Sequence, residues 1–79
     1  MGITVSVQAE DNFTNTVYFI RHSNGNWTAI NKSGIPHSLS YFSDNAAEFY
    51  IALSNCDNKE DALKIVRKHG TYLRKGSVK

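Results

Sequence analysis

Apolar and polar residues alternate at the start of the chain. Ile3, Val5, Val7 and Ala9 interleave with Thr4, Ser6 and Gln8, the period of two expected of a strand with one buried face. Turn-forming Glu10, Asp11 and Asn12 end that run. A second run, Thr16 to Arg21, is rich in β-branched and aromatic residues and stops at Ser23-Asn24-Gly25-Asn26. Asn24-Gly25 suits a two-residue type I′ turn, so Trp27 to Lys32 reads as the returning strand. Beyond the turn Lys32-Ser33-Gly34, the segment Ile35 to Phe42 alternates again and predicts a fourth strand. Pro36 places it at a strand start or on an edge, because proline cannot donate to a ladder.

The spacing then changes. Ala46, Phe49, Tyr50 and Leu53 recur at i, i+3, i+4 and i+7, one apolar stripe along a helix that Ser43 or Asp44 would cap. A second helix is expected from about Asn58 to His69, opened by the capping-box spacing of Asp57 and Glu60. It would bury Ala62, Leu63 and Val66, and a left-handed Gly70 would stop it. Thr71 to Lys79 is expected to be a short extension or a frayed tail. Strands joined by tight turns and followed by helices imply an α+β fold. The prediction is a small antiparallel meander of three to four strands with two helices packed on one face. The domain plan is one unit over 1–79: strand-rich 1–42, helical 43–70 and a basic tail 71–79.

Length and composition agree with one domain. The chain has 79 residues, of which 41% are hydrophobic and 11% aromatic, enough apolar mass to exclude disorder. A single cysteine, Cys56, excludes an intramolecular disulfide and a multi-cysteine zinc site. The start of the chain resembles no signal peptide, and no run approaches the roughly 18 apolar residues of a membrane span. The expected setting is therefore cytoplasmic, without membrane contact.

Charge sharpens the picture more than the net value of +2 suggests. Residues 1–61 carry all seven acids against Arg21, Lys32 and Lys59, a net of −4. Residues 62–79 carry six cations and no acid, a net of +6. Lys64, Arg67 and Lys68 sit at i, i+3 and i+4, one basic stripe that Arg74 and Lys75 extend. Such a stripe suits contact with nucleic-acid phosphates. It also suits the negative end of a helix dipole and a solvated tail, the more common reason for such a stripe.

Catalytic chemistry finds little support. His22 and Ser23 are strand neighbours that point to opposite faces. A two-histidine nuclease would need His22 and His37 to converge on one cleft. Cys56 and His69 lack the close-spaced partners of a metal site, and the five glycines are isolated rather than phosphate-binding. No catalytic residue, metal or cofactor is assigned.

The central hairpin is more informative, because it is apolar on both faces. A two-residue loop pairs His22 with Trp27, Ile20 with Ala29 and Phe19 with Ile30. One face then carries Tyr18, Ile20, His22, Trp27 and Ala29, and the other Val17, Phe19, Arg21, Thr28 and Ile30. Two helices cover one face, leaving apolar side chains in water unless the sheet curls or Tyr41 and Phe42 fold across. An exposed apolar cluster with a polar rim marks a protein contact. The expected contact residues are Tyr18, Phe19 and Trp27, and homodimerisation through them is the simplest variant. Stacking of single-stranded bases on Tyr18 and Trp27 is a weaker use of the same face, since Arg21 points away from them.

The Asn-rich, motif-free chain resembles, in style rather than motif, the small accessory proteins of phages and mobile elements, including inhibitors of host defence. That resemblance implies a non-enzymatic protein acting by steric contact with another protein, in the host cytoplasm. The alternative is a small nucleic-acid-binding module using Lys64, Arg67, Lys68, Arg74 and Lys75.

Overall fold

A computed structural model describes residues 2–79. Four strands, β1 (Ile3–Glu10), β2 (Thr16–His22), β3 (Trp27–Asn31) and β4 (Pro36–His37), precede a 3-10 turn (Leu39–Tyr41) and two helices, α1 (Ala46–Ser54) and α2 (Lys59–His69). The strands form one antiparallel sheet in the order β1-β2-β3-β4. This is the predicted α+β meander. The fourth strand is much shorter than the alternation from Ile35 to Phe42 suggests. After His37 the chain turns into the 3-10 segment, where Ser38 caps by accepting from the Ser40 amide.

Alternation in β1 does what the sequence implies. Val5, Val7 and Ala9 are buried while Ser6 and Gln8 are exposed. They join Val17, Phe19, Trp27 and Ala29 to form the covered side of the sheet, on which Phe49 and Leu53 of α1 and Ala62 and Val66 of α2 pack. Phe19 is its centre, with ring centroids 5.6 Å from Phe42 and 5.5 Å from Phe49. Each fully buried phenylalanine contributes about 1.5–3 kcal/mol through burial. Tyr50, expected on the buried stripe of α1, lies half outside it and is exposed.

Both helix starts are capped later than expected, α1 at Asn45 rather than Ser43 or Asp44 and α2 at Asn58 rather than Asp57. Asn45 accepts from the Glu48 amide, and Asn58 accepts from the Asp61 amide at 2.9 Å. Asn58 Nδ2 also donates to the Asp61 carboxylate at 3.0 Å, so α2 opens on the Asn58–Asp61 pair rather than on Asp57–Glu60. Ser43 lies further upstream, where its hydroxyl accepts from the Asn45 amide.

Gly70 does end α2, but with φ −78° it is not left-handed. Glycine is needed there for space. An added Cβ would lie 2.4 Å from Leu73 Cδ1 and 2.6 Å from the Val66 carbonyl oxygen.

That close approach lets the C-terminal segment fold back, and it is not frayed. Leu73 bridges Asp11, the Arg74 amide donates to the Glu10 carbonyl at 2.8 Å, and Gln8 and Lys79 exchange backbone bonds of 3.0 and 2.7 Å. Leu73 and Val78 are buried. The arm thus covers the free edge of β1, while the opposite edge is the two-residue β4 with its proline. Both are ways to keep a sheet edge from pairing with other chains.

Candidate interaction surfaces

The hairpin register differs from the expected one by a single residue. Arg21 pairs with Trp27, Ile20 with Thr28, Phe19 with Ala29 and Tyr18 with Ile30. The cause is the loop. His22 and Asn26 close it through a 2.8 Å bond, and of the three residues between them Gly25 takes φ 91°. This is a three-residue loop ending in a left-handed glycine, rather than the two-residue turn.

Because strand side chains alternate, a slip of one moves every β3 residue to the other face. Trp27 and Phe19 therefore share the covered face, where they are 8% and 1% exposed. Neither is available on the surface, which corrects their expected place in an exposed patch. Tyr18 alone of the three lies on the uncovered face, half-buried among its strand neighbours.

That open face is built in rows. Ile3 pairs with His22; Ser6 with Ile20 and Thr28; Gln8 with Tyr18, Ile30 and Pro36; Glu10 with Thr16. Ile20 is 6% exposed yet lies outside the cluster formed with the helices, which identifies it as the centre of a separate apolar patch. Around it are hydroxyl and amide side chains and the His22 ring, whose Nε2 lies 3.0 Å from Thr28 Oγ1. Glu10 is the one carboxylate, and no lysine or arginine occupies these strand positions. Arg21 belongs to the covered side, its Nη1 donating to Thr4 Oγ1 at 2.9 Å. An aromatic–cation platform for stacked bases is therefore not assembled on this face.

The histidines are dispersed. His22 lies on the open face, whereas His37 pairs with Ala29 on the covered side and packs on Tyr41 and Phe42. His69 stacks on Phe49. The sheet separates His22 from His37, which lie on its opposite faces. Cys56 is buried and donates to the Asn58 carbonyl. Among the described residues no group of three His, Cys, Asp or Glu side chains could hold a metal ion, and no helix is long and apolar enough to cross a membrane.

The basic residues are partly gathered. Arg67, Lys68, Arg74 and Lys75 line one groove of about 420 Å³ between the end of α2 and the arm, without an acid among its lining residues. Lys64, one turn earlier on α2, is exposed outside that groove. Arg67 is partly committed to structure, donating to the Val78 carbonyl at 3.4 Å.

A third surface was not legible from periodicity. Phe13, Tyr41 and Tyr72 are exposed aromatics from three separate segments, and they line a common hollow with Asp11 and Asn12. Tyr72 donates its hydroxyl to the Asp44 carboxylate, and that bond with the neighbouring negative charge raises the phenol pKa above its usual 10. One signal did exist in the sequence: Phe13 stands alone in the polar run Asp11 to Asn15, where no strand or helix period accounts for it.

No protein-family model, curated protein or solved structure matches this chain.

Proposed function

We propose that this chain is a non-enzymatic binding protein whose contact surface is the open face of the sheet, offered by the half-buried Tyr18 and Ile30 beside the buried Ile20. The observation that carries this reading is the composition of that face. An apolar centre, a rim of hydroxyls and amides, and almost no formal charge are what a protein surface of ordinary polarity can cover. Nucleic acid would demand cations there. In keeping with the accessory-protein style of the sequence, the proposed action is steric: the face occupies a partner's surface, as an inhibitor would, with no chemical step.

The test is capture by immobilised protein from nuclease-treated lysate, comparing wild type with the double variant Tyr18→Ser, Ile30→Ser. Both residues lie outside the helix-packed core, so the variant should keep its circular dichroism spectrum and lose the captured protein. Capture unaffected by the double variant would remove the reading. Sedimentation of the wild type decides whether the partner is a second copy.

A second reading rests on the basic groove. Four cations around one recess support contact with a phosphate backbone. Binding to RNA or DNA would then weaken steeply with salt, and Lys68→Ala with Lys75→Ala would reduce the salt slope. No binding at low salt would dismiss it.

A further inference from the structure

The exposed aromatics Phe13, Tyr41 and Tyr72 meet where β1 turns toward β2. They are 76%, 55% and 44% exposed, although aromatic side chains ordinarily supply a small domain with its core. With Asp11 and Asn12 they line an open hollow of about 390 Å³. The backbone that carries Phe13 and the side chains of Tyr41 and Tyr72 are held by structure that does not depend on a ligand.

Asp11 organises the loop that carries Phe13. Its Oδ1 accepts from the amides of Phe13 at 2.8 Å and Asn15 at 2.9 Å, and its Oδ2 accepts from Asn15 Nδ2 at 3.2 Å. Thr14 is held at φ 64°, a left-handed conformation that β-branched residues rarely adopt. Tyr41 packs on Phe42 and His37, with ring centroids 5.2 Å away in both cases. Tyr72 is tied twice, by its amide to the Phe42 carbonyl at 3.1 Å and by its hydroxyl to Asp44. The arm that bears it is joined to the loop through the Asp11–Leu73 bridge. Three rings from three segments therefore border one space, with Tyr41 and Tyr72 held through their side chains and Phe13 through its loop.

The electrostatics of that space have one sign. Aromatic faces are electron-rich and attract cations. Asp11 is the one charged side chain among the lining residues, and no lysine or arginine is among them. Asp44 adds a second carboxylate at the Tyr72 hydroxyl. We propose that this hollow is a binding site for a quaternary ammonium group. The choice among cations follows from Asp11, whose oxygens already accept three hydrogen bonds. It offers charge but little free accepting capacity. An ammonium or guanidinium group, which must replace its hydrogen bonds to water, is poorly served there. A cation without N–H donors needs charge and ring contact alone, and the hollow supplies both. The site shares no residue with the open sheet face and stands independently of it.

The experiment titrates choline and its neutral carbon isostere, 3,3-dimethylbutan-1-ol, into the full chain, read by amide and aromatic NMR shifts. Choline should give saturable shifts confined to residues 11–15, Tyr41 and Tyr72, and the isostere should bind much more weakly. Phe13→Ala and Tyr41→Ala should each weaken choline binding by roughly two- to thirty-fold, the range for one cation–ring contact. Phe13 is so exposed that its removal should leave the remaining spectrum unchanged. Tyr50→Ala on α1 should have no effect. A trimethyllysine peptide provides the second arm. Binding tighter than choline indicates a side-chain ligand, and binding by choline alone a free molecule; both uphold the site. Equal response to the isostere, equal binding of methylguanidinium, or no saturable shift would each overturn it.

Discussion

Trp27 offers the sharpest test of the observed register. Placed on an open face, it could be cut to alanine with little effect on stability, as is usual for surface substitutions. Placed in the covered core at 8% exposure, it should behave as a large buried aromatic. Truncating such a residue costs about 3–5 kcal/mol. One correction reduces that figure. Trp27 Nε1 is buried without a hydrogen-bond partner, and an unsatisfied buried donor itself costs about 1–3 kcal/mol. Removing the donor with the ring returns part of the loss; at the middle of the two ranges the net is about 2 kcal/mol. For a domain whose total stability is on the order of 4–12 kcal/mol this is a large fraction. It corresponds to a fall in melting temperature of roughly 8–16 °C. Trp27→Phe separates the two contributions, since it keeps most of the ring and discards the unpaired donor. It should cost about 1 kcal/mol or less. The assay is urea unfolding followed by circular dichroism, because the variants lose the single tryptophan, with an unchanged m-value as the check that compactness is preserved. A Trp27→Ala variant within about 0.5 kcal/mol of wild type would refute the placement. So would a Trp27→Phe variant as damaged as the alanine one, because the ring volume would then count for nothing.

Other expectations follow from single contacts. Gly70→Ala has an allowed φ and would ordinarily stabilise, yet here the Cβ meets the Val66 carbonyl and Leu73; it should destabilise by about 1–3 kcal/mol and increase hydrogen exchange at Arg74 and Lys79, whereas a neutral result would mean the arm is not held by that approach. Asn58→Ala should cost about 1 kcal/mol in thermal or urea unfolding through loss of the α2 cap, with Asp57→Ala nearly silent. Tyr72 should lose its proton above the ordinary phenol range, because Asp44 accepts its hydrogen bond and its carboxylate disfavours a second negative charge. The resulting contribution to stability is complete below pH 10 and disappears as pH rises through the raised pKa. Asp44→Asn should bring the titration back toward 10, measured by NMR with ring-labelled tyrosine.

How far the fold could be read depended on whether the deciding interaction was local. Val5, Val7 and Ala9 declare a buried face because period two is a property of one strand. Ala62 and Val66 declare the inner side of α2 for the same reason at helical spacing. Asn24-Gly25 misled because both candidate loops are local and nearly the same in sequence. A two-residue turn would put both Asn24 and Gly25 at positive φ, whereas the three-residue loop asks it of Gly25 alone. Tertiary burial decides between them. Phe19 packs on Phe42 and Phe49 from α1, and only the longer loop brings Trp27 to the same side as Phe19. The alternative would trade Trp27 for Ile30 in the core and leave the larger ring in water. The folding of the arm onto β1 is decided in the same way, since no residue from Thr71 to Lys79 has strand periodicity. Its order comes from Leu73 and Val78 finding burial, and from the backbone of Gln8 and Glu10 needing partners at an otherwise open edge. The surfaces inherit this dependence. Shifting one strand by one residue converted an expected aromatic patch of Tyr18 and Trp27 into a nearly uncharged one of Tyr18, Ile20 and Ile30. Closing the arm brought Tyr72 to Phe13 and Tyr41, residues 59 and 31 positions away by their numbers in the chain. A contact surface made of residues that distant carries no local pattern, and only the chain's return to its first strand creates it.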